Sequence, residues 1–122
     1  MAHVRTGVDL IEISRVEATL RRHGERFLNR VFTAQEQADA RGQAASLAAR
    51  FAAKEAAAKA LGCGIGPVSW LDIEITRGPQ RQPEIALHGA AQQRAEALHL
   101  REWSVSLSHS KDYAIALVVA VD

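Results

Sequence analysis

Leu47-Ala48-Ala49-Arg50-Phe51-Ala52-Ala53-Lys54-Glu55-Ala56-Ala57-Ala58-Lys59-Ala60-Leu61 is the stretch on which the reading of the fold turns. Alanine, the best helix former, dominates it, and Gly62 follows as a residue suited to stopping a helix. A helix over 47–61 is therefore predicted, with Ser46 as its N-cap. Beyond it, Gly62-Cys63-Gly64-Ile65-Gly66-Pro67 reads as a turn. Leu71, Ile73 and Ile75 then alternate with Asp72 and Glu74, the period of a strand. Gly78 to Pro83 is predicted to be a hairpin loop before a short strand at Glu84–Leu87, followed by an amphipathic helix over Gly89–Leu100. Trp103–Leu107 and Tyr113–Val121 are the last two predicted strands. On the N-terminal side, His3 to Leu10 alternates with Val4, Thr6 and Val8 on one side, as a half-buried strand would, and Gly7 and Asp9 end the pattern. Ser14 with Glu17, and Thr33 with Glu36, have the spacing of capping boxes opening two further helices, the first closed by Gly24. The predicted class is α+β, one domain over 1–122, with a mostly antiparallel sheet packed against the long central helix.

Bulk properties narrow the function. A net charge of +1 argues against bulk electrostatic binding to nucleic acid or anionic membrane, so any basic surface is local. The single cysteine, Cys63, excludes an intrachain disulfide and suits a reducing cytoplasm. The start of the chain has no signal-type apolar stretch, and the run Ala114–Val121 is far shorter than the ~20 residues a membrane helix needs. A cytoplasmic protein is expected, one that uses partner subunits to complete its burial.

The candidate chemistry rests on few residues. Asp9 is a carboxylate at the predicted end of a strand, a place shared by cleft acids and ordinary turn residues. Hard cations such as magnesium take oxygen ligands, usually one or two carboxylates plus substrate phosphates. Glu55 is the candidate partner, and Glu55 and Lys59, four apart, project from one helix face. Arg50 and Lys54 add a cationic strip beside them, and a metal carboxylate next to cations is what phosphoryl transfer uses. Taken alone, Glu-Ala-Ala-Ala-Lys is also a common helix-stabilising pattern on a solvated face, and residue chemistry by itself favours that reading. The glycine turn follows a helix C-terminus, the negative end of the helix dipole, so it is no P-loop. His109, between two serines, fits phosphate binding, proton relay or a plain surface loop. The other histidines lack zinc-ligand spacing. Arg15, Arg22 and Arg26, at spacings of seven and four on a first helix continued to Arg30, make a basic strip that fits an acidic protein helix as well as solvent.

Four segments in order, Gly7-Val8-Asp9-Leu10, Arg50-Phe51-Ala52-Ala53-Lys54-Glu55-Ala56, Lys59-Ala60-Leu61-Gly62-Cys63-Gly64 and Val105-Ser106-Leu107-Ser108-His109-Ser110, resemble the holo-acyl-carrier-protein synthases. These are the small bacterial branch of the 4′-phosphopantetheinyl transferases. The resemblance spans nearly the whole chain and implies magnesium-dependent transfer of 4′-phosphopantetheine from coenzyme A to a serine of an apo-acyl carrier protein, serving fatty acid biosynthesis and releasing 3′,5′-ADP. It implies Asp9 and Glu55 as magnesium ligands, manganese being an alternative ion, and Glu55, Lys59 and His109 as catalytic groups. Lys59 would stabilise charge on the bridging diphosphate, and Glu55 would orient or deprotonate the nucleophile, directly or through water. Arg50 and His109 would lie by the nucleotide, including its 3′-phosphate, with Gly62 and Gly64 lining the pocket. Arg15, Arg22 and Arg26 would dock the carrier protein, and a homotrimer would build each active site between two subunits. One region departs from the pattern. Relatives usually carry Gly-x-Pro in the hairpin, whereas this chain reads Arg81-Gln82-Pro83, so the hairpin's nucleotide contacts do not carry over and the role of residues 77–83 stays open.

Two other classes use the same residues. One is a catalytically idle assembly protein, in which Asp9 and Glu55 are surface acids; retention of Asp9, Glu55, Lys59 and His109 together speaks against it, since folding requires no such set. The other is a metal-dependent hydrolase of a different diphosphate, against which the basic first helix favours a protein acceptor over water.

Overall fold

The computed structural model describes residues 3–122. Strand β1 (Val4–Glu12) leads into helix α1 (Ile13–His23), followed by α2 (Glu25–Val31), α3 (Ala34–Ala40) and the long α4 (Ala44–Ala60). A 3-10 turn at Trp70–Asp72 precedes the hairpin β2 (Ile73–Arg77) and β3 (Pro83–Leu87), then α5 (Gly89–Ala97), β4 (Glu102–His109) and β5 (Tyr113–Val121). The strands form two antiparallel sheets, β1-β5-β4 and β2-β3. The expected α+β class and antiparallel pairing hold.

Helix α4 is buried along most of its length against the inner face of the three-stranded sheet. Alanines make that approach possible from both sides: Ala52, Ala53, Ala56 and Ala57 of α4 and Ala116 and Ala120 of β5 share one core with Val118. Gly7 of β1 is where the backbones come closest, since a Cβ there would lie 1.8 Å from the carbonyl oxygen of Ala56. Alanine in α4 thus serves packing as much as helix propensity. A second core joins α1, α2 and α3 to the start of α4 through Val16, Val31, Phe32, Ala40 and Leu47.

Several local expectations are corrected. Strand β1 continues through Asp9, which pairs with Ala116 in the ladder, so Asp9 does not end a strand. The Val4, Thr6, Val8 face is the exposed one, while Gly7 is buried. Alternation tells which residues share a face; only packing decides which face meets the core, and Gly7 admits the helix. Ser14 caps nothing, because α1 starts directly from β1 with Glu12 at its N-cap position and the N–H of Ile13 donating to Asp112 O at 2.9 Å. Gly24 closes α1 as expected but also separates it from α2, so there is no single helix to Arg30. Helix α4 begins three residues earlier than its expected start at Leu47, and Ser46 lies inside its first turn. Leu71 belongs to the 3-10 turn and not to β2.

The Thr33–Glu36 capping box is present. Glu36 is fully buried and does more than cap. Its Oε1 accepts from Thr33 N at 2.8 Å and from Lys54 Nζ at 2.7 Å, and its Oε2 accepts from Ile75 N at 2.9 Å. Lys54 Nζ also donates to Trp70 O at 2.9 Å and Ile73 O at 2.6 Å. Burial pushes the Lys54 ammonium below its ordinary pKa, against the opposing pull of Glu36. Lys54 is therefore a structural clamp between α3, α4 and β2, and not part of a cationic strip facing a ligand.

Candidate active site: a carboxylate cleft and an arginine cavity

Asp9 and Glu55 come together. Asp9 projects from the middle of β1 and Glu55 from α4, and both line a cavity of about 400 Å³ with Arg15, Thr19, Phe27 and Phe51. The alanine-and-glycine contact between β1 and α4 sets their separation, because Gly7 lies two residues from Asp9 and Ala56 next to Glu55. Burial raises the Glu55 carboxyl above its ordinary pKa and the negative charge of Asp9 adds to the rise, while Lys59 and Arg15 pull it down. Lys59 Nζ donates to Asp9 Oδ1 and to Val8 O, each at 3.1 Å, and its side chain stays half exposed. The cleft thus holds two carboxylates close enough to repel, with two cations beside them. That donor set fits a hard divalent ion completed by phosphate oxygens and water.

Arg50 and His109 lie elsewhere in the chain. They line a separate cavity of about 420 Å³, shared with Ser46, Arg77 and Arg81. Arg50 is nearly buried, its Nε donating to Ile75 O at 3.2 Å and its Nη1 to Ser46 O at 3.3 Å and to Ser46 Oγ. Burial lowers its proton affinity, partly offset by Asp39 and Glu36. Sequence reasoning missed Arg77 and Arg81 here; the two arginines flanking the Gly-Pro turn were the signal available. Gly62 and Gly64, both at positive φ, form the stop of α4, with the N–H groups of Cys63 and Gly64 donating to Ala58 O at 3.2 Å. Neither glycine lines either cavity, and a Cβ on Gly62 would lie 3.2 Å from Arg5 Nη1.

The three arginines expected on one helix face divide. Arg15 lines the carboxylate cleft. Arg22, on α1, and Arg26, on α2, line two further depressions that share Thr19 and His23, and Thr19 also borders the cleft. A basic surface therefore runs outward from the carboxylates across the α1–α2 break. On the far side of the sheet, Val4, Val8, Leu10, Tyr113, Ile115 and Leu117 are exposed together, from 40% for Ile115 to 60% for Val4. No helix among the described residues is long and apolar enough to cross a membrane.

The 4′-phosphopantetheinyl transferase superfamily model matches residues 5–118. A holo-[acyl-carrier-protein] synthase of Herpetosiphon aurantiacus is 54% identical, over 95% of this chain and 97% of its own. One from Moorella thermoacetica is 50% identical, over 95% and 92%. Among solved structures, the Helicobacter pylori holo-[acyl-carrier-protein] synthase in complex with coenzyme A superposes with a TM-score of 0.87 at 35% identity, covering 94% of this chain and 98% of that one. The Bacillus anthracis synthase in complex with CoA (3′,5′-ADP) gives 0.81 at 34% identity, covering 100% and 99%. With the motifs, the fold and the carboxylate cleft in agreement, the chain belongs to the 4′-phosphopantetheinyl transferase superfamily.

Proposed function

We propose that this protein is a holo-acyl-carrier-protein synthase, transferring 4′-phosphopantetheine from coenzyme A to a serine of an apo-acyl carrier protein in fatty acid biosynthesis. The observation that carries the reading is the convergence of Asp9, Glu55, Lys59 and Arg15 on one cleft, in a chain so similar to proteins of that name. Asp9 and Glu55 would hold a magnesium ion, which when bound neutralises charge on the coenzyme A diphosphate. Lys59, half exposed beside Asp9, is placed to meet the charge that develops on the diphosphate oxygens. The carrier serine oxygen attacks the phosphorus bearing pantetheine, and the bond from that phosphorus to the 3′,5′-ADP oxygen breaks. We assign the serine proton to Glu55, directly or through a water, from its place in the cleft beside Asp9. The basic surface through Arg15, Arg22 and Arg26 would receive the acidic carrier protein.

Arg50 and His109 are assigned to the nucleotide end of coenzyme A, in a cavity apart from the carboxylate cleft of the same protomer. A site shared between two subunits reconciles the separation, one protomer supplying the carboxylates and its neighbour the arginines. The exposed apolar face of β1 and β5 supports such an assembly, and we propose a homotrimer. Gly62 and Gly64, which line neither cavity of the single chain, would reach the nucleotide from across the same subunit boundary. The single free thiol fits a cytoplasmic protein.

The test is incubation with magnesium, coenzyme A and apo-acyl carrier protein, read by intact-protein mass spectrometry. Phosphopantetheine should appear on the carrier, chelation should abolish the product, and Glu55→Gln should lose at least about a hundredfold in rate. No modification by wild type, or a Glu55→Gln variant as fast as wild type, defeats the assignment.

A further inference from the structure

The β2–β3 hairpin closes at the Arg77–Pro83 pair, and two backbone hydrogen bonds hold its turn. Arg81 N–H donates to Gly78 O at 2.9 Å, and Gly78 N–H donates to Gln82 O at 2.7 Å. This is a type I turn with Pro79 in its second place, followed by a bulge residue in the left-handed region. The bulge residue is Arg81, at φ 66°. Glycine suits such a position, because a Cβ crowds the backbone there. Arg41 and His99, the other non-glycine residues at positive φ among those described, both sit at helix ends. Arg81 instead occupies a strand connection, and its side chain lines the cavity that Arg50, Arg77 and His109 also line. Among the described residues, that lining includes no carboxylate. Asp39, just outside the lining, accepts from the Arg77 backbone N–H at 3.2 Å and, through its carbonyl oxygen, from Arg77 Nη2 at 3.5 Å, and its charge partly offsets the burial of Arg50.

Arg81, a cationic side chain at a strained backbone position, thus shares one cavity with Arg50, Arg77 and His109, where the like charges of Arg50 and Arg77 already repel. A phosphomonoester relieves the repulsion, carrying close to two negative charges and oxygens that match the guanidinium fork. We propose that Arg81 is a specificity residue which, together with Arg77, clasps the 3′-phosphate of coenzyme A. The hairpin, and not the carboxylate cleft, then sets the preference for coenzyme A over its 3′-dephosphorylated form. The proposal rests on the assignment of coenzyme A as substrate.

Isothermal titration of wild type and Arg81→Gly with coenzyme A and with dephospho-coenzyme A, alongside thermal unfolding and transfer kinetics, separates the possibilities. Arg81→Gly should weaken coenzyme A about tenfold, as loss of a charge-assisted hydrogen bond does. Dephospho-coenzyme A should move by less than about twofold, since it lacks the group Arg81 meets. The thermal midpoint should hold or rise, because glycine relieves the left-handed strain, and the kinetic loss should fall on KM for coenzyme A. Wild type that transfers phosphopantetheine and prefers coenzyme A, with an Arg81→Gly variant of unchanged preference, overturns the role of Arg81. So does a variant that weakens both ligands equally. Wild type that neither binds coenzyme A nor modifies the carrier overturns the substrate assignment instead.

Discussion

Gly7→Ala tests whether the close approach of β1 to α4 sets the carboxylate pair. The added Cβ would lie 1.8 Å from Ala56 O and 2.7 Å from Ala56 C, both backbone atoms that no rotamer change can move. Reaching even 3.0 Å requires the strand and the helix to part by at least about 1.2 Å. Asp9 lies two residues along the strand from that wedge and Glu55 is adjacent to Ala56, so the parting falls between the two carboxylates. Metal–oxygen distances tolerate only about 0.2 Å, and misplacing a reacting group by about 1 Å costs roughly a hundredfold in rate. Overpacking that side chains can absorb costs about 1–3 kcal/mol; a backbone clash costs at least the upper end of that range, still within a total stability of about 5–15 kcal/mol. Gly7→Ala is therefore expected to remain folded by circular dichroism, bind magnesium more weakly in calorimetry, and lose roughly a hundredfold in kcat/KM for phosphopantetheine transfer. A folded variant within threefold of wild-type kcat/KM and magnesium affinity would refute the claim that backbone contact at Gly7 positions the pair.

Lys54→Met should destabilise the protein by about 3–5 kcal/mol, since it leaves the buried Glu36 charge without its counter-ion and strips Trp70 O and Ile73 O of a donor. Urea unfolding at fixed protein concentration measures this, and a loss below about 1 kcal/mol would show the clamp is not structural. The Thr33 hydroxyl, donating to Glu74 at 2.7 Å, and His88 hold the Glu74 carboxyl below its ordinary value of 4.5. The unfolded chain then binds that proton more readily, so the contribution is present above pH 4.5 and is lost as pH falls through the depressed native value. Glu74→Gln should flatten this part of the acid limb in urea titrations run from neutral pH downward; identical slopes for variant and wild type would contradict it.

Local chemistry made much of the fold legible. The Thr33–Glu36 capping box, the Gly62 stop and the strand over Tyr113–Val121 depend on neighbours within a few residues, and each formed as read. The Ser14–Glu17 pair failed because a strand feeding straight into α1 leaves no turn in which Ser14 could cap. Lys54 was misread for a different reason: its partner Glu36 is eighteen residues away, and Ile75, which completes the clamp on Glu36, belongs to another element. Arg77 and Arg81 were passed over because a turn sequence does not state which cavity its side chains will line.

By itself, the sequence determined the elements, the carboxylate and cation types at Asp9, Glu55 and Lys59, and a pattern of motifs sufficient to indicate the family. Those features are local, or are preserved as an ordered set along the chain. Only the tertiary structure decided that the Val4–Val8 face of β1 lies outside, that Asp9 and Glu55 share one cleft, and that Arg50 and His109 occupy another. Each of these depends on how closely α4 can approach the sheet. That distance is set by side-chain size at Gly7 and the facing alanines, a property of two surfaces in contact that neither segment specifies alone.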